Sequence, residues 1–152
     1  MKKRIIASIL TVVILICATC ACSGKNESYA YSATVTVSCE NILKDISVIS
    51  EEKQELVPED GYILKDVNVG FNEGESAFTV LERALKENKI QFEHESAYVK
   101  GIGNIYEFDA GDMSGWLFKV NGEYGDMGLG DTTLSDGDTL LMVYACDYMT
   151  DM

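Results

Sequence analysis

The sequence predicts an α+β domain in which one main helix packs on a mostly antiparallel or mixed sheet. Three observations predict it. Polar–apolar alternation, the mark of half-buried strands, recurs from residue 33 towards the C-terminus. One stretch, residues 76–86, switches instead to a helical period. The last alternating segment, residues 139–146, is apolar enough to lie at the centre of a sheet.

The elements follow in order. Residues 33–39 (ATVTVSC) alternate and read as a strand. Ile42, Ile46 and Ile49 share a helical face, which predicts a short helix over 41–49. Residues 51–61 are charged, carry the single proline, Pro58, and read as a loop. Val67, Val69 and Phe71 alternate, so 62–71 reads as strand, and Asn72, Glu73 and Gly74 turn the chain. In the main helix Phe78, Leu81 and Leu85 lie on one stripe widened by Ala77, Val80 and Ala84. Glu73 and Glu75 sit near its positive end, and Lys86 and Lys89 near its negative end. Residues 90–92, 97–99, 105–108 and 116–120 are short strand candidates. Asn121-Gly122 is a type I′ hairpin signal, because both central residues of that turn need positive φ. Residues 134–138 (LSDGD) form a turn before the final strand.

The N-terminus has the layout of a bacterial export signal: Lys2, Lys3 and Arg4, then an apolar run over 5–16, then small residues and cysteines. A permanent membrane helix is the rival, but it needs about 20 apolar residues. Residues 1–22 are therefore assigned to a signal peptide, 23–32 to a polar tether and 33–152 to the folded domain. Ala21-Cys22-Ser23 resembles a lipoprotein cleavage site, although Thr19 stands where that family prefers Leu. Cys22 is the expected lipid-anchor residue, Cys20 the runner-up, and simple release the third alternative. The expected location is the outer face of the bacterial membrane, held by the lipid alone, or the exterior. The formal charge is −13, and removing the signal makes it more negative still. Such a chain does not suit nucleic-acid binding, which needs a basic surface.

Cys39 and Cys146 fall in the first and last strands, and export sets them in an oxidising compartment. A disulfide between them is expected, worth roughly 4–5 kcal/mol for a loop of about 100 residues. Two buried thiols are the alternative.

The ordered segments IGNIYEFDAG (102–111), SGWLFKVNGEY (114–124) and LSDGD (134–138) carry a resemblance. With VSC (37–39), LVPEDG (56–61) and EGES (73–76), they make the chain similar to the transcobalamin-like C-terminal domain, also called DUF4430, over about residues 35–148. The resemblance implies a β-grasp-like sheet holding one helix. It also implies a cobalamin or other corrinoid ligand, with no covalent cofactor. In the eukaryotic carriers this domain closes over one corrin face, while a helical α/α barrel holds the other. This chain has no room for that barrel, so a separate helical-barrel or surface protein is an implied partner.

Trp116, the only Trp, and the glycine-rich loop 124–130 match the region that faces the corrin. Glycine admits close backbone approach, aromatic rings give stiff contact area, and Met adapts to irregular shapes. The candidate ligand-binding residues are Trp116, Phe118, Tyr124, Met127 and Leu129. The competing reading makes Trp116 a core anchor and the loop a mobile tip. Glu107, Asp109, Asp112, Asp126, Asp131, Asp136 and Asp138 could offer oxygens to Ca²⁺, or simply serve turns. His94, the single histidine, lacks the context of a hydrolase triad, and no metal site is assigned. The expected function is non-enzymatic ligand binding at the cell surface. A protein- or polymer-interaction domain and a Ca²⁺-binding domain are the alternatives.

Overall fold

The structure is a computed structural model that describes residues 28–152. The expected signal peptide over 1–22, the anchor Cys22 and residues 23–27 of the tether lie outside the described residues. Eight strands and three α-helices follow in order. They are β1 (Tyr31–Ser38), α1 (Glu40–Leu43), α2 (Glu51–Gln54), β2 (Tyr62–Phe71), α3 (Ala77–Glu87), β3 (Phe92–Glu95), β4 (Tyr98–Ile102), β5 (Ile105–Tyr106), β6 (Gly115–Val120), β7 (Glu123–Tyr124) and β8 (Thr139–Ala145). A five-stranded sheet runs β2-β1-β8-β6-β7, and a three-stranded sheet runs β3-β4-β5.

β1 and β8 pair in parallel at the centre of the large sheet, and the other pairs are antiparallel. The register sets Val35 against Leu140 and Val37 against Met142. It also sets Met142 against Phe118, and Tyr144 against Trp116. Because side chains alternate across a strand, these residues share one face. That face, with α3 over it, is the core: Val35, Val37, Leu140, Met142 and Tyr144 meet Val80, Leu81, Ala84 and Leu85, all buried. Each large apolar side chain buried here contributes about 1.5–3 kcal/mol.

α3 begins where Ser76 Oγ accepts from Thr79 N at 3.3 Å, a serine N-cap. It ends where Asn88 Nδ2 donates to Ala84 O at 2.8 Å, and Lys89 turns the chain with φ 57°. The buried stripe is Ala77, Val80, Leu81, Ala84 and Leu85. Phe78 stands at its margin and packs instead on Phe92 and His94, at ring distances of 5.8 and 4.9 Å.

Three local readings are corrected. The helix expected over 41–49 breaks into α1 and a 3₁₀ turn, Ile46–Val48, because Asp45 Oδ1 accepts from Ser47 N at 3.0 Å and restarts the chain. The loop expected over 51–61 opens with α2, one turn too short to show a period. β1 begins at Tyr31, inside the stretch read as tether. The hairpin turn forms as read, with Asn121 at φ 53° and Gly122 at φ 86°.

The expected Cys39–Cys146 disulfide is not seen in the structure, where both are free thiols. Burial pushes the Cys39 thiol up to about 12, and its Sγ donates to Gly61 O at 3.4 Å. Burial likewise pushes Cys146 up to about 11, with the Asp151 charge adding to it.

Candidate functional site

An apolar groove of about 220 Å³ opens between the two sheets. β6 supplies Trp116 and Phe118, β8 supplies Met142, and the start of β4 supplies Tyr98 and Val99. The loop after β7 closes it with Gly125, Gly128 and Leu129, and Tyr124 and Met152 complete the wall. Sites that enclose a small ligand measure roughly 300–1,000 Å³. This groove falls below that range, so it covers only part of a ligand of that size.

Four of the five residues expected at the site line the groove: Trp116, Phe118, Tyr124 and Leu129. Met127 does not; it is 56% exposed beside it. Trp116 serves both readings offered for it. Its indole Nε1 donates to Ile105 O at 3.0 Å and its ring meets Tyr144 edge-on at 5.2 Å, so it is a core anchor. The part that is not packed against Tyr144 forms groove wall. Phe118 is fixed by Gly125, where any Cβ would collide with the Phe118 ring. Tyr124 stacks under Lys119 Nζ at 4.2 Å and donates its hydroxyl to Asp151 O at 2.8 Å.

The glycine loop is braced rather than a free tip. Leu129 O accepts from Phe78 N at 3.1 Å and Thr132 O accepts from Ala77 N at 2.7 Å. These are first-turn amides of α3, which have no partner within the helix. Gly128 O accepts from Asp131 N, Thr132 N and Thr132 Oγ1 at 3.0–3.1 Å. Leu129 is 5% exposed and plugs the loop onto the core. The sequence reading missed Tyr98, Val99, Met142 and Met152. Met142 comes to the groove by the pairing of β8 with β6, and Tyr98 and Val99 by the small sheet's packing beside the large one. Met152 comes from the C-terminal segment, and no local spacing signals any of these.

A second buried network holds the neighbouring loop, residues 106–114. The Tyr144 hydroxyl lies 2.8 Å from Tyr106 O and 3.1 Å from Ser114 Oγ. Ser114 Oγ donates to Gly111 O at 2.8 Å and accepts from Ala110 N at 3.1 Å. Burial is the main cause that raises Tyr144 to about 12, which keeps the phenol protonated in this network.

Of the acidic residues weighed for Ca²⁺, Asp109, Asp136 and Asp138 are engaged in an ion pair and in turns. Asp109 binds Lys53 Nζ at 2.5 and 2.6 Å and accepts from Tyr106 N. Asp136 accepts from Ser32 N, and Asp138 from Asn121 Nδ2 and Ser135 N. Among the described residues no three His, Cys, Asp or Glu side chains gather as a metal site. His94 packs on Phe78 and Phe92, with Nδ1 2.8 Å from Ser96 O. No helix among the described residues is long and apolar enough to cross a membrane.

A family described as a domain of unknown function, DUF4430, matches residues 74–145, from the turn before α3 to the end of β8. Residues 74–145 are a DUF4430 domain. The match takes in α3, both groove-forming sheets except β1 and β2, and every residue named for the groove apart from Met152. Among solved structures, this chain is similar to haptocorrin in complex with Cbi, at 17% identity and a TM-score of 0.50. The similarity covers 84% of this chain and 28% of that one, so the chain spans under a third of haptocorrin's length. At that identity the likeness speaks for the fold alone. A Ruminococcus gnavus ATCC 29149 protein, named as a candidate metal binder, is 18% identical with a TM-score of 0.43, over 76% of this chain and 96% of that one. No curated protein sequence matches the chain.

Proposed function

We propose that this DUF4430 protein is a non-enzymatic binding module whose contact surface is the groove between Trp116, Phe118, Tyr98 and Leu129. One observation carries the reading: strand residues and the glycine loop converge on a single apolar groove that is shaped before any ligand arrives. A preformed apolar cleft with a few polar groups at its edge is the usual form of a small-molecule site. The candidate ligand is a corrinoid such as cobalamin. Its support is the DUF4430 match, the haptocorrin-like fold, and an apolar groove walled by Trp116, Phe118, Tyr98 and Tyr124. The module is read as exported and held at the outer membrane face by a lipid on Cys22, in keeping with the sequence of the N-terminus.

A groove this shallow covers only part of a macrocycle. Affinity then depends on a second surface, from a helical-barrel or other cell-surface protein. The test is titration of the protein with cyanocobalamin and dicyanocobinamide, followed by corrin absorbance. Saturable spectral change is expected. No change up to high micromolar corrinoid sinks the corrinoid reading.

A further inference from the structure

The residues after β8 turn back towards the groove, and Met152 lines it beside Tyr124. Asp147 opens a single turn there. Its Oδ1 accepts from Met149 N at 2.8 Å, and its O accepts from Thr150 N at 3.1 Å and from Asp151 N at 2.9 Å. The Asp151 side chain then reaches back to the start of that turn. Its Oδ2 accepts from Cys146 N at 2.8 Å and from Asp147 N at 3.2 Å. Its Oδ1 accepts from Lys44 Nζ, just after α1, at 3.2 Å. The Asp151 carbonyl accepts the Tyr124 hydroxyl at 2.8 Å. One residue thus ties together the end of β8, the segment after α1 and the β6–β7 hairpin.

The Asp151 side chain is only 10% exposed, so its charge is costly unless it is matched. Burial by itself raises the carboxyl. The Asp147 and Cys146 amides and the Lys44 ammonium outweigh that and hold it below its ordinary value. Bonds from N–H groups to a carboxylate are the stronger class. Lys44 is mostly exposed, so the two amides carry the latch and Lys44 adds little. The segment is also pinned upstream, where Tyr148 N donates to Met113 O at 3.0 Å and the Tyr148 hydroxyl lies over Gly115. Met152 therefore extends from a fixed backbone, although its own side chain is 68% exposed. A flexible thioether on a fixed backbone adapts to a ligand's shape without the cost of ordering the chain.

We propose that Asp151 is the positioning residue of the groove: it latches residues 147–152 so that Tyr124 and Met152 stand as one wall before ligand arrives. Asp151 acts at one remove, through its carbonyl on Tyr124 and through the chain on Met152. This rests on the groove as the binding site and adds what sets the shape of its mouth.

In protein labelled at the methionine methyls, the Met152 methyl resonance reports this wall with no ligand present. Cross-peaks from it to the Phe118 or Tyr124 ring are expected in the unsubstituted protein. Asp151→Asn keeps the side chain's size and removes its charge. It is expected to lose those cross-peaks, while the Trp116 indole N–H, bonded to Ile105 O, keeps its resonance. Titration of this variant with dicyanocobinamide is expected to show about tenfold weaker binding, as when the binding-competent wall is formed in about a tenth of the molecules. Tyr124→Phe removes only the tie to the Asp151 carbonyl, and it reads the wall if Asp151→Asn fails to fold. A fewfold loss of affinity is expected there. An unmoved Met152 methyl in Asp151→Asn, or unchanged affinity in Tyr124→Phe, overturns the positioning role and leaves the groove as a binding site. So does an affinity loss in Asp151→Asn that comes with a displaced Trp116 indole resonance, since the core itself has then moved. Failure of dicyanocobinamide to bind the unsubstituted protein overturns the corrinoid reading, and the Met152 methyl alone then decides the latch.

Discussion

The two halves of residues 115–130 build opposite walls of one groove by different means. β6 gives its wall by alternation: Trp116 and Phe118 point inward because β6 pairs with β8, and Trp116 is tied by its indole to Ile105 O. The loop 124–130 has no such period. Its shape comes from carbonyls that satisfy the first amides of α3 and from Leu129 buried beneath it. The first wall is inseparable from the core, whereas the second borrows its order from a helix about fifty residues earlier in the chain. On the proposed function, β6 serves both stability and contact, and the outer part of the loop serves contact alone.

Substitutions in the two walls should separate these roles. Trp116→Ala removes a core aromatic and leaves Ile105 O without its indole donor. Its expected cost is about 3–5 kcal/mol of unfolding free energy, read by urea denaturation. A loss under about 1 kcal/mol would mean that Trp116 is wall and not anchor. Gly125→Ala tests the contact between the walls, since the added Cβ must push the Phe118 ring aside. The expected cost is about 1–3 kcal/mol, together with weaker corrinoid binding. Met127→Ala should leave stability within about 0.5 kcal/mol, since the side chain is exposed. A fewfold loss of dicyanocobinamide affinity is expected, read by titration beside a thermal melt. A large stability loss here would erase the distinction between the two walls.

Much of this division is written locally in the sequence. Val67, Val69 and Phe71 mark β2, the apolar run of β8 marks the central strand, and Asn121-Gly122 marks the hairpin, each within a few residues. The α3 stripe is equally local, although Phe78 leaves it to join Phe92 and His94. What local pattern hides is set by distant partners. Met142 reaches the groove through the pairing of β8 with β6, and Tyr98 through packing of the small sheet beside the large one. The glycine loop is firm only because α3 begins beneath it. The Asp45 cap that splits the helix after β1 is a single side-chain bond, strong enough to interrupt an otherwise helical spacing. The pairing of Cys39 with Cys146 is suggested by compartment and by strand position, and the structure has both as free thiols, with Cys39 Sγ bonded to Gly61 O.

The central claim is that ligand meets this groove and no other face. It is tested most directly by following backbone amide resonances while dicyanocobinamide is added. The account predicts saturable shifts at Val99, Leu117, Gly125 and Gly128, with Thr34, Thr36 and Leu141 on the opposite sheet face unmoved. Shifts centred on Thr34, Thr36 and Leu141, with the groove amides silent, would contradict it.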